Sequence, residues 1–366
     1  MRTQFLRLRG GNEYKAMQAT TDYLLIGLGI AGSSMALTLL KTGKTFRVID
    51  APAFSSATKI AAGVYHPASF RTMRPIWKGE ESFELAKEFY REAEKILGAS
   101  FHRERDVLRV LSSEEEVALW QKRFAEHQSR FFGEKIQDNP FPGQIDAPLG
   151  LARVQGGSVD TNAFLEALRK KLRAEELLHE ELFDHLQLAI DKSGVTYRDW
   201  RAKRLIFCEG FHLRQNPFFH ELPLRTVKGQ VLRLHIPGLK TEQVLNREVY
   251  LLPLGNERFI AGATFERGFS DELITGKGRE EIESKLRALL KAPFTVEAQH
   301  AGVRPAMPDH KPLLGMHPEH AQLALLNGVG SKGVLWSPWL AQHLLDHLEG
   351  GAPLHPACAL QRVLNW

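Results

Sequence analysis

A glycine-rich turn between two short apolar segments is the first feature whose residue types indicate chemistry. Gly27, Gly29 and Gly32 follow one apolar run. Asp50 closes the next one. Glycines at this spacing permit a tight turn, let a backbone approach a pyrophosphate, and let a helix lie close to a sheet. An acid at the second strand end is placed to accept a hydrogen bond from a ribose hydroxyl. The pattern predicts a dinucleotide site, whether for a flavin or a nicotinamide dinucleotide.

The helix that joins these two strands is the element that must position the phosphates. It is predicted to begin at Ile30, to continue through Ala31 to Thr42, and to stop at Gly43. A helix N-terminus offers N–H groups without intrahelical partners and a partial positive charge. We therefore expect this helix end to face the pyrophosphate of the ligand.

Composition limits the class of protein without naming a function. The chain has 366 residues, of which 43% are hydrophobic, so two domains or one elaborate α/β unit are expected. Cys208 and Cys358 are its two cysteines, which disfavours a disulfide framework or a zinc ribbon and favours a reducing compartment, the cytoplasm. A net charge of +5 is poor evidence for nucleic-acid binding, and none is expected. No metal site is predicted.

The N-terminal residues do not resemble a targeting segment, because basic residues are present without an apolar stretch. Met17 is a plausible natural start, so that the first 16 residues would be an extension. The chain contains no apolar run of about 18 residues, and no transmembrane helix is expected.

Hydrophobic periodicity outlines the remaining elements. Helices are predicted at 81–98, 113–130, 161–176 and 278–290, with a last one from Ser337-Pro338 to Gly350-Gly351. Ser-Pro is a common N-cap and N1 pair. The stretch 132–150 is rich in Pro and Gly and predicts an irregular connection, whereas 224–263 predicts a mostly antiparallel sheet.

Several segments in a fixed order resemble one family. They are DYLLIGLGIAGSSMA, IAAGVYHP, GGSVDTNAFLEAL, RLIFCEG, PLRTVKGQVLRL, VYLLPLGNERFIAGATFE, HAGVRPAMPDHKPLLG and NGVGSKGVLWSP. Together they resemble the D-amino-acid oxidase, glycine oxidase and sarcosine oxidase superfamily of FAD-dependent oxidoreductases, over nearly the whole chain. GSKGVLWSP also looks like the oxidase domain of the bifunctional enzyme that completes a modified wobble uridine in tRNA.

The resemblance implies an α/β fold with two domains. A Rossmann-type FAD-binding domain would combine 17–75, 150–225 and 300–366. An α+β substrate domain with a mostly antiparallel sheet would combine 76–149 and 226–299. The resemblance does not indicate an oligomeric state.

The resemblance also implies FAD as the cofactor, and we expect it to be non-covalent because neither cysteine matches the family's attachment positions. The residues expected to bind it are Gly27, Gly29, Ile30, Ala31, Gly32, Asp50, Ala62, Gly63, Glu209, Gly210, Arg304, Gly328, Gly330, Ser331, Lys332 and Gly333. The family usually carries Glu where this chain has Asp50, so the shorter side chain would reach one ribose hydroxyl less well.

The family motifs assign expected chemical roles to a few side chains. Arg304, in GVRP, would grip a substrate carboxylate, although a structural ion pair with an acid such as Asp309 is the alternative. Tyr250 would bind the same carboxylate or simply pack in its sheet. Lys332 would lie in the loop past the flavin pyrimidine and add to the stabilisation of the anionic reduced ring, or would be a solvated lysine. His66 would lie near the flavin, with packing favoured over catalysis.

The activity implied is oxidation of a C–N bond in a small amino acid or secondary amine, by hydride transfer to flavin N5. Oxygen or another electron acceptor would then reoxidise the flavin. Three other possibilities stay open at this stage. The first is a 2-hydroxy-acid oxidoreductase with His66 as its base, the second is an enzyme that modifies a tRNA wobble uridine, and the third is a flavin-binding protein without catalysis.

Overall fold

Two large sheets with helices packed on them form the chain, whose computed structural model describes residues 20–51 and 56–364. Met17 lies outside the described residues. The helices are α1 (Ile30–Lys41), α2 (Ala57–Ile60), α3 (Gly79–Leu97), α4 (Glu114–His127), α5 (Thr161–Ala174), α6 (Gly276–Leu289) and α7 (Gly333–Gly350). The strands are β1 (Thr21–Ile26), β2 (Phe46–Ile49), β3 (Val64–Tyr65), β4 (Ala68–Ser69), β5 (Arg74–Pro75), β6 (His102–Glu104), β7 (Val107–Val110), β8 (Phe132–Gln137), β9 (Leu151–Val154), β10 (Gly157–Val159), β11 (Leu178–His179), β12 (Leu188–Asp191), β13 (Gly194–Tyr197), β14 (Trp200–Phe207), β15 (Arg225–His235), β16 (Val244–Asn246), β17 (Tyr250–Gly255), β18 (Arg258–Gly262), β19 (Glu266–Arg267), β20 (Thr295–Ala306), β21 (Leu313–Met316) and β22 (Leu323–Asn327).

The first sheet has a parallel centre made from distant parts of the chain. Strand β1 pairs in parallel with β2 and β14, and β14 pairs in parallel with β22. The C-terminal parts of these strands are apolar and buried, as expected at the centre of a parallel sheet that is covered on both faces. Helices α1 and α7 pack against each other in the cluster that contains Leu37 and Leu340. The sheet therefore brings the glycine turn after β1 and the segment after β22 to the same edge, with the end of β14 between them.

The second sheet is mostly antiparallel and carries the residues predicted to bind substrate. Its longest pairing joins β15 to β20, and β15 also pairs with β18, which continues through β17 and β16 to β7. The pairing places Arg304 opposite Val227 and Gly302 opposite Gly229. This mixed α/β architecture confirms the fold class expected from the sequence.

The domain boundaries stay a prediction. Strand β9, which follows the predicted boundary at 150, pairs with β7 and β8 in the antiparallel sheet. Strand β20 spans the predicted boundary at 300 and pairs with β15 along its whole length. Strand β9 thus pairs across the division that we propose, and β20 spans it.

Two sequence expectations about elements are wrong. The stretch 132–150 contains β8, an edge strand that pairs with β9. Its residues are mostly polar and exposed, so the apolar alternation that would have revealed a strand is absent. The expectation that Ser337-Pro338 begins the last helix also fails, because α7 begins four residues earlier at Gly333.

A tertiary contact explains how α7 tolerates an internal proline. Pro338 has no N–H to donate to the carbonyl of Val334, one turn earlier. The Tyr90 hydroxyl of α3 donates to that carbonyl instead, at 2.8 Å. Tyr90 is fully buried, so this bond is shielded from water. Ser337 is also fully buried, and its hydroxyl caps nothing among the described residues.

Candidate active site and dinucleotide cradle

A cavity of about 1400 Å³ is lined by residues of both sheets. Pockets for drug-sized ligands usually measure roughly 300–1,000 Å³. The larger volume leaves room for a dinucleotide together with a small second molecule. Most of the residues that the sequence singled out line this cavity, namely Gly27, Gly29, Ile30, Ala31, Asp50, Ala62, Gly63, Glu209, Gly210, Tyr250, Arg304, Gly330, Ser331, Lys332 and Gly333.

Gly32 and Gly328 lie behind the cavity wall and serve packing. A Cβ on Gly32 would overlap the carbonyl oxygen of Gly27, so α1 could not start where it does. Gly328 has φ +71° and sits against Met307, which only glycine accommodates without strain. The backbone of Gly27 itself is constrained, with φ +93° and a would-be Cβ 2.6 Å from the Cys208 oxygen. By contrast, a Cβ on Gly29 would have only the Thr58 hydroxyl within 4 Å, at 3.4 Å, and Gly29 lines the cavity.

Asp50 has partners on both carboxylate oxygens. The N–H of Leu28, within the glycine turn, donates to Oδ1 at 2.8 Å. Arg169 on α5 forms an ion pair with Oδ2, and also pairs with Glu180 at 2.7 Å. Each carboxylate oxygen has a second lone pair. Asp50 is thus fixed in orientation and still able to accept a hydroxyl hydrogen bond.

The Glu209 carboxylate already has partners within the protein. Its carboxylate accepts from the Asn216 amide at 2.6 Å and contacts His185 Nε2 at 3.2 Å. Next to it Gly210 adopts φ +59°. Cys208 is buried, and burial raises the pKa of its thiol, which suppresses the reactive thiolate.

Two helix N-termini lie close together on the wall of the cavity. Gly333 begins α7 directly after a 3₁₀ turn over Gly330–Lys332, and a Cβ there would lie 2.8 Å from Ile30 Cγ2 at the start of α1. The missing side chain thus allows both helix ends to approach one point. Because each end carries a partial positive charge, this part of the wall suits an anionic group. Gly63, with φ +75°, brings the segment after α2 to the same cavity.

Arg304 is a partly buried cation without an acidic partner among the described residues. Its guanidinium lies over Gly229, where a Cβ would overlap Nη2, and its Nη1 donates weakly to the Thr264 carbonyl at 3.4 Å. Burial lowers the pKa of Arg304 to about 10. The alternative pairing with Asp309 does not occur, because Arg362 forms an ion pair with that acid at 3.0 Å.

Lys332 is a second cation on the same cavity. Burial lowers the pKa of its amine to about 8. No acid within the described ranges forms an ion pair with it, so it differs from the solvated lysine that was the alternative. Two unpaired cations facing one cavity produce a site that attracts anions.

Tyr250 and His66 form a hydrogen-bonded pair that the sequence could not reveal. The Tyr250 hydroxyl lies 2.7 Å from His66 Nε2, and the backbone N–H of Ala68 donates to His66 Nδ1 at 3.3 Å. Phe70 stacks on the imidazole with ring centroids 4.9 Å apart. Burial, with the nearby charge of Lys332, keeps the pKa of His66 well below its usual range.

Arg169 and Arg109 also line the cavity, and no sequence motif marks either of them. Arg169 gives no signal, because helix α5 looks like an ordinary basic amphipathic helix. Arg109 on β7 is buried and donates hydrogen bonds to Asn246 at 3.0 Å and to Glu116 at 2.6 Å.

No helix in 20–51 or 56–364 has the length and apolar character needed to cross a membrane. Within these same ranges His, Cys, Asp and Glu form no group of three that could hold a metal.

Known proteins are similar to this chain in sequence and in structure. Glycine oxidase of Bacillus subtilis is 24% identical, over 88% of this chain and 91% of its own length. The tRNA 5-methylaminomethyl-2-thiouridine biosynthesis bifunctional protein of Hahella chejuensis is 26% identical over 94% of this chain, which spans 59% of that protein. The crystal structure of glycine oxidase from Bacillus cereus superposes with a TM-score of 0.78, at 20% identity, covering 94% of this chain and 98% of that one.

A family model described as DAO, FAD dependent oxidoreductase, matches residues 22–347, and therefore includes both sheets and every wall of the cavity. The glycine cradle and the paired helix N-termini have the chemistry that this cofactor needs. The chain belongs to the DAO family of FAD-dependent oxidoreductases.

Proposed function

We propose that this oxidoreductase oxidises a C–N bond of a small amino acid or secondary amine that carries a carboxylate. The observation that carries the proposal is Arg304, a partly buried guanidinium that lines the cavity with no acid of its own in the described chain. A buried cation is costly unless something pairs with it. A substrate carboxylate would supply the missing partner through two parallel hydrogen bonds. The glycine oxidase relative supports an amino-acid substrate.

The protein's part in this reaction is to bind and orient. Arg304 holds the carboxylate, and Tyr250 on the same wall donates a hydrogen bond to it. FAD, when bound, accepts the two electrons and the hydrogen that leave the substrate carbon. Fixing the carboxylate at one point limits the directions in which the neighbouring C–H bond can face, so positioning supplies much of the rate. We propose that the residues of the glycine cradle, Asp50, Gly63 and the loop before α7 hold this cofactor non-covalently.

A 2-hydroxy-acid substrate is disfavoured by His66. Such a substrate needs a base for its hydroxyl proton, and His66 is the candidate. Both of its nitrogens are already engaged, by Ala68 and by Tyr250. No lone pair is left to accept a substrate proton.

A second candidate function is oxidation of a carboxymethylaminomethyl group on tRNA. The observation that favours it is the similarity to the tRNA biosynthesis protein, which covers 94% of this chain. That group is also a secondary amine with a carboxylate, so Arg304 would serve it in the same way. The two candidates differ in the size of the molecule attached to the amine.

Anaerobic reduction of the purified holoprotein tests the proposal. Glycine, sarcosine, L-proline, D-amino acids, 2-hydroxy acids and an RNA oligonucleotide with carboxymethylaminomethyluridine are each added while flavin absorbance is followed. Bleaching by a free amino acid or amine is expected. Bleaching by hydroxy acids alone would overturn the proposal, and bleaching by the oligonucleotide alone would establish the second candidate.

Replacing Arg304 with Ala tests its role. KM for a carboxylate substrate should rise by the equivalent of about 2–5 kcal/mol, the cost of removing one partner of a buried charge pair. Arg233→Ala is the matched control, because Arg233 is an exposed arginine on the adjacent strand β15. An unchanged KM in Arg304→Ala would exclude Arg304 from the binding site.

A further inference from the structure

We propose that His66 is a positioning residue, which fixes the Tyr250 hydroxyl so that its proton is donated into the cavity, toward the substrate carboxylate. This inference rests on the proposed function for the identity of the substrate. The hydrogen-bond arrangement itself stands on the side chains of this chain. It assigns to His66 a task different from both packing and acid–base catalysis.

The first step concerns the Nδ1 side of the ring. The backbone N–H of Ala68 points at His66 Nδ1 from 3.3 Å. A backbone N–H can only donate, so Nδ1 must offer a lone pair and carries no proton. The imidazole is 1% exposed and lies near the charge of Lys332, two conditions that favour the neutral ring. A neutral ring with a bare Nδ1 has its single proton on Nε2.

The second step follows that proton to Tyr250. Nε2 lies 2.7 Å from the Tyr250 oxygen, so His66 donates and the phenol oxygen accepts. Burial raises the pKa of Tyr250, which therefore keeps its own proton. A phenol has one O–H to donate. With the imidazole proton occupying one side of the oxygen, the hydroxyl hydrogen must be directed elsewhere, and the side left open is the cavity that Tyr250 lines.

The third step is the rigidity of the pair. Phe70 stacks on His66 at 4.9 Å, and its centroid lies 6.3 Å from that of the Tyr250 ring. The opposite arrangement, in which Tyr250 donates to His66, would turn the hydroxyl proton away from the substrate. A carboxylate held by Arg304 would then meet only the lone pairs of the phenol, which repel it. His66 thus decides whether Tyr250 attracts or repels the anion.

A set of variants of the holoprotein tests this proposal without turnover. Methoxyacetate, which carries a carboxylate but has no amine to oxidise, is titrated while the flavin spectrum reports its Kd. His66→Phe should weaken binding about tenfold, the equivalent of one hydrogen bond. His66→Gln should retain most of the affinity, because its side-chain amide can donate in place of Nε2–H. In a Tyr250→Phe background, His66→Phe should add no further loss.

The tautomer is read separately by ¹⁵N NMR of histidine-labelled holoprotein, with the His66→Gln variant assigning the signal among the 15 histidines. A proton on Nε2 alone is expected. A proton on Nδ1 would overturn the proposal, as would an equal effect of His66→Phe in the presence and absence of the Tyr250 hydroxyl. Wild-type protein that does not bind methoxyacetate would also overturn it. Failure of the proposed function is distinct, since it appears as no flavin bleaching by amines while the tautomer and the coupling are still measurable.

Discussion

Arg304 can occupy its position only because residue 229 has no side chain. A Cβ on Gly229 would overlap the end of the guanidinium, and that end belongs to a flexible side chain. Gly229 on β15 thus affects substrate binding only by leaving space for the side chain of Arg304 on the paired strand β20. A substitution at residue 229 can therefore change substrate binding without changing the stability of the fold.

Gly229→Ala should therefore impair binding while leaving the fold intact. The displaced guanidinium should raise KM for a carboxylate substrate nearly as much as Arg304→Ala, while urea unfolding should stay within about 1 kcal/mol of wild type. Gly276→Ala is the matched control, since nothing lies within 4 Å of a Cβ there. A Gly229→Ala enzyme with wild-type KM would show that the guanidinium position is irrelevant to binding.

Lys332 links the site to pH. Burial lowers the pKa of its amine to about 8, while an unfolded lysine titrates near its ordinary value of about 10.4. Below the folded pKa both states are protonated and the cost of burial is felt in full. Between the two values the unfolded state binds more protons, so stability from this group rises with pH.

Lys332→Met should accordingly stabilise the apoprotein near neutral pH. The gain should be about 2 kcal/mol at pH 7, should fall as pH rises above about 8, and should be only a fraction of that at about pH 10, because it vanishes only where lysine is neutral in the unfolded state as well. Urea unfolding at the two pH values measures it, with the exposed Lys277→Met as control. A gain that is constant with pH would refute the titration argument.

At the scale of elements, the proline in α7 makes one helix depend on another. The Tyr90 hydroxyl of α3 donates a hydrogen bond to the Val334 carbonyl, because Pro338 has no N–H to donate. Tyr90→Phe should lower the free energy of unfolding by about 1–3 kcal/mol, the cost of a buried unsatisfied group. In a Pro338→Ala background that cost should shrink, because residue 338 then donates within the helix. Equal costs in both backgrounds, measured by urea unfolding of the four proteins, would contradict this account.

At the scale of the whole molecule, the cofactor should hold the two sheets together. The cavity takes its walls from both, including Gly29 on one side and Tyr250 on the other. Removing FAD should lower Tm, and adding FAD back should raise the free energy of unfolding by about 1.4 kcal/mol for each tenfold excess over Kd. Differential scanning calorimetry across FAD concentrations measures it. A Tm independent of FAD would contradict cofactor binding in this cavity.

The sequence predicted the cradle and the two-sheet fold because local patterns carry them. The glycine turn is contiguous, and the buried parallel strands have a clear apolar signature. The start of α7 was not predictable, since its proline is compensated by Tyr90, far away in the chain. The His66–Tyr250 bond was equally hidden, because its residues lie 184 positions apart. Pairings of this kind depend on strand register, which no short segment contains.

The order of the strands also has a consequence for protein synthesis. The central strand β14 pairs with β1 from the start of the described chain and with β22 from near its end. The segment between β22 and α7 closes the cavity where the two helix ends meet. During synthesis, this wall leaves the ribosomal exit tunnel after every described strand of both sheets. The complete cavity therefore forms only after the strands of both sheets have emerged, and until then these strands must avoid aggregation without the cofactor.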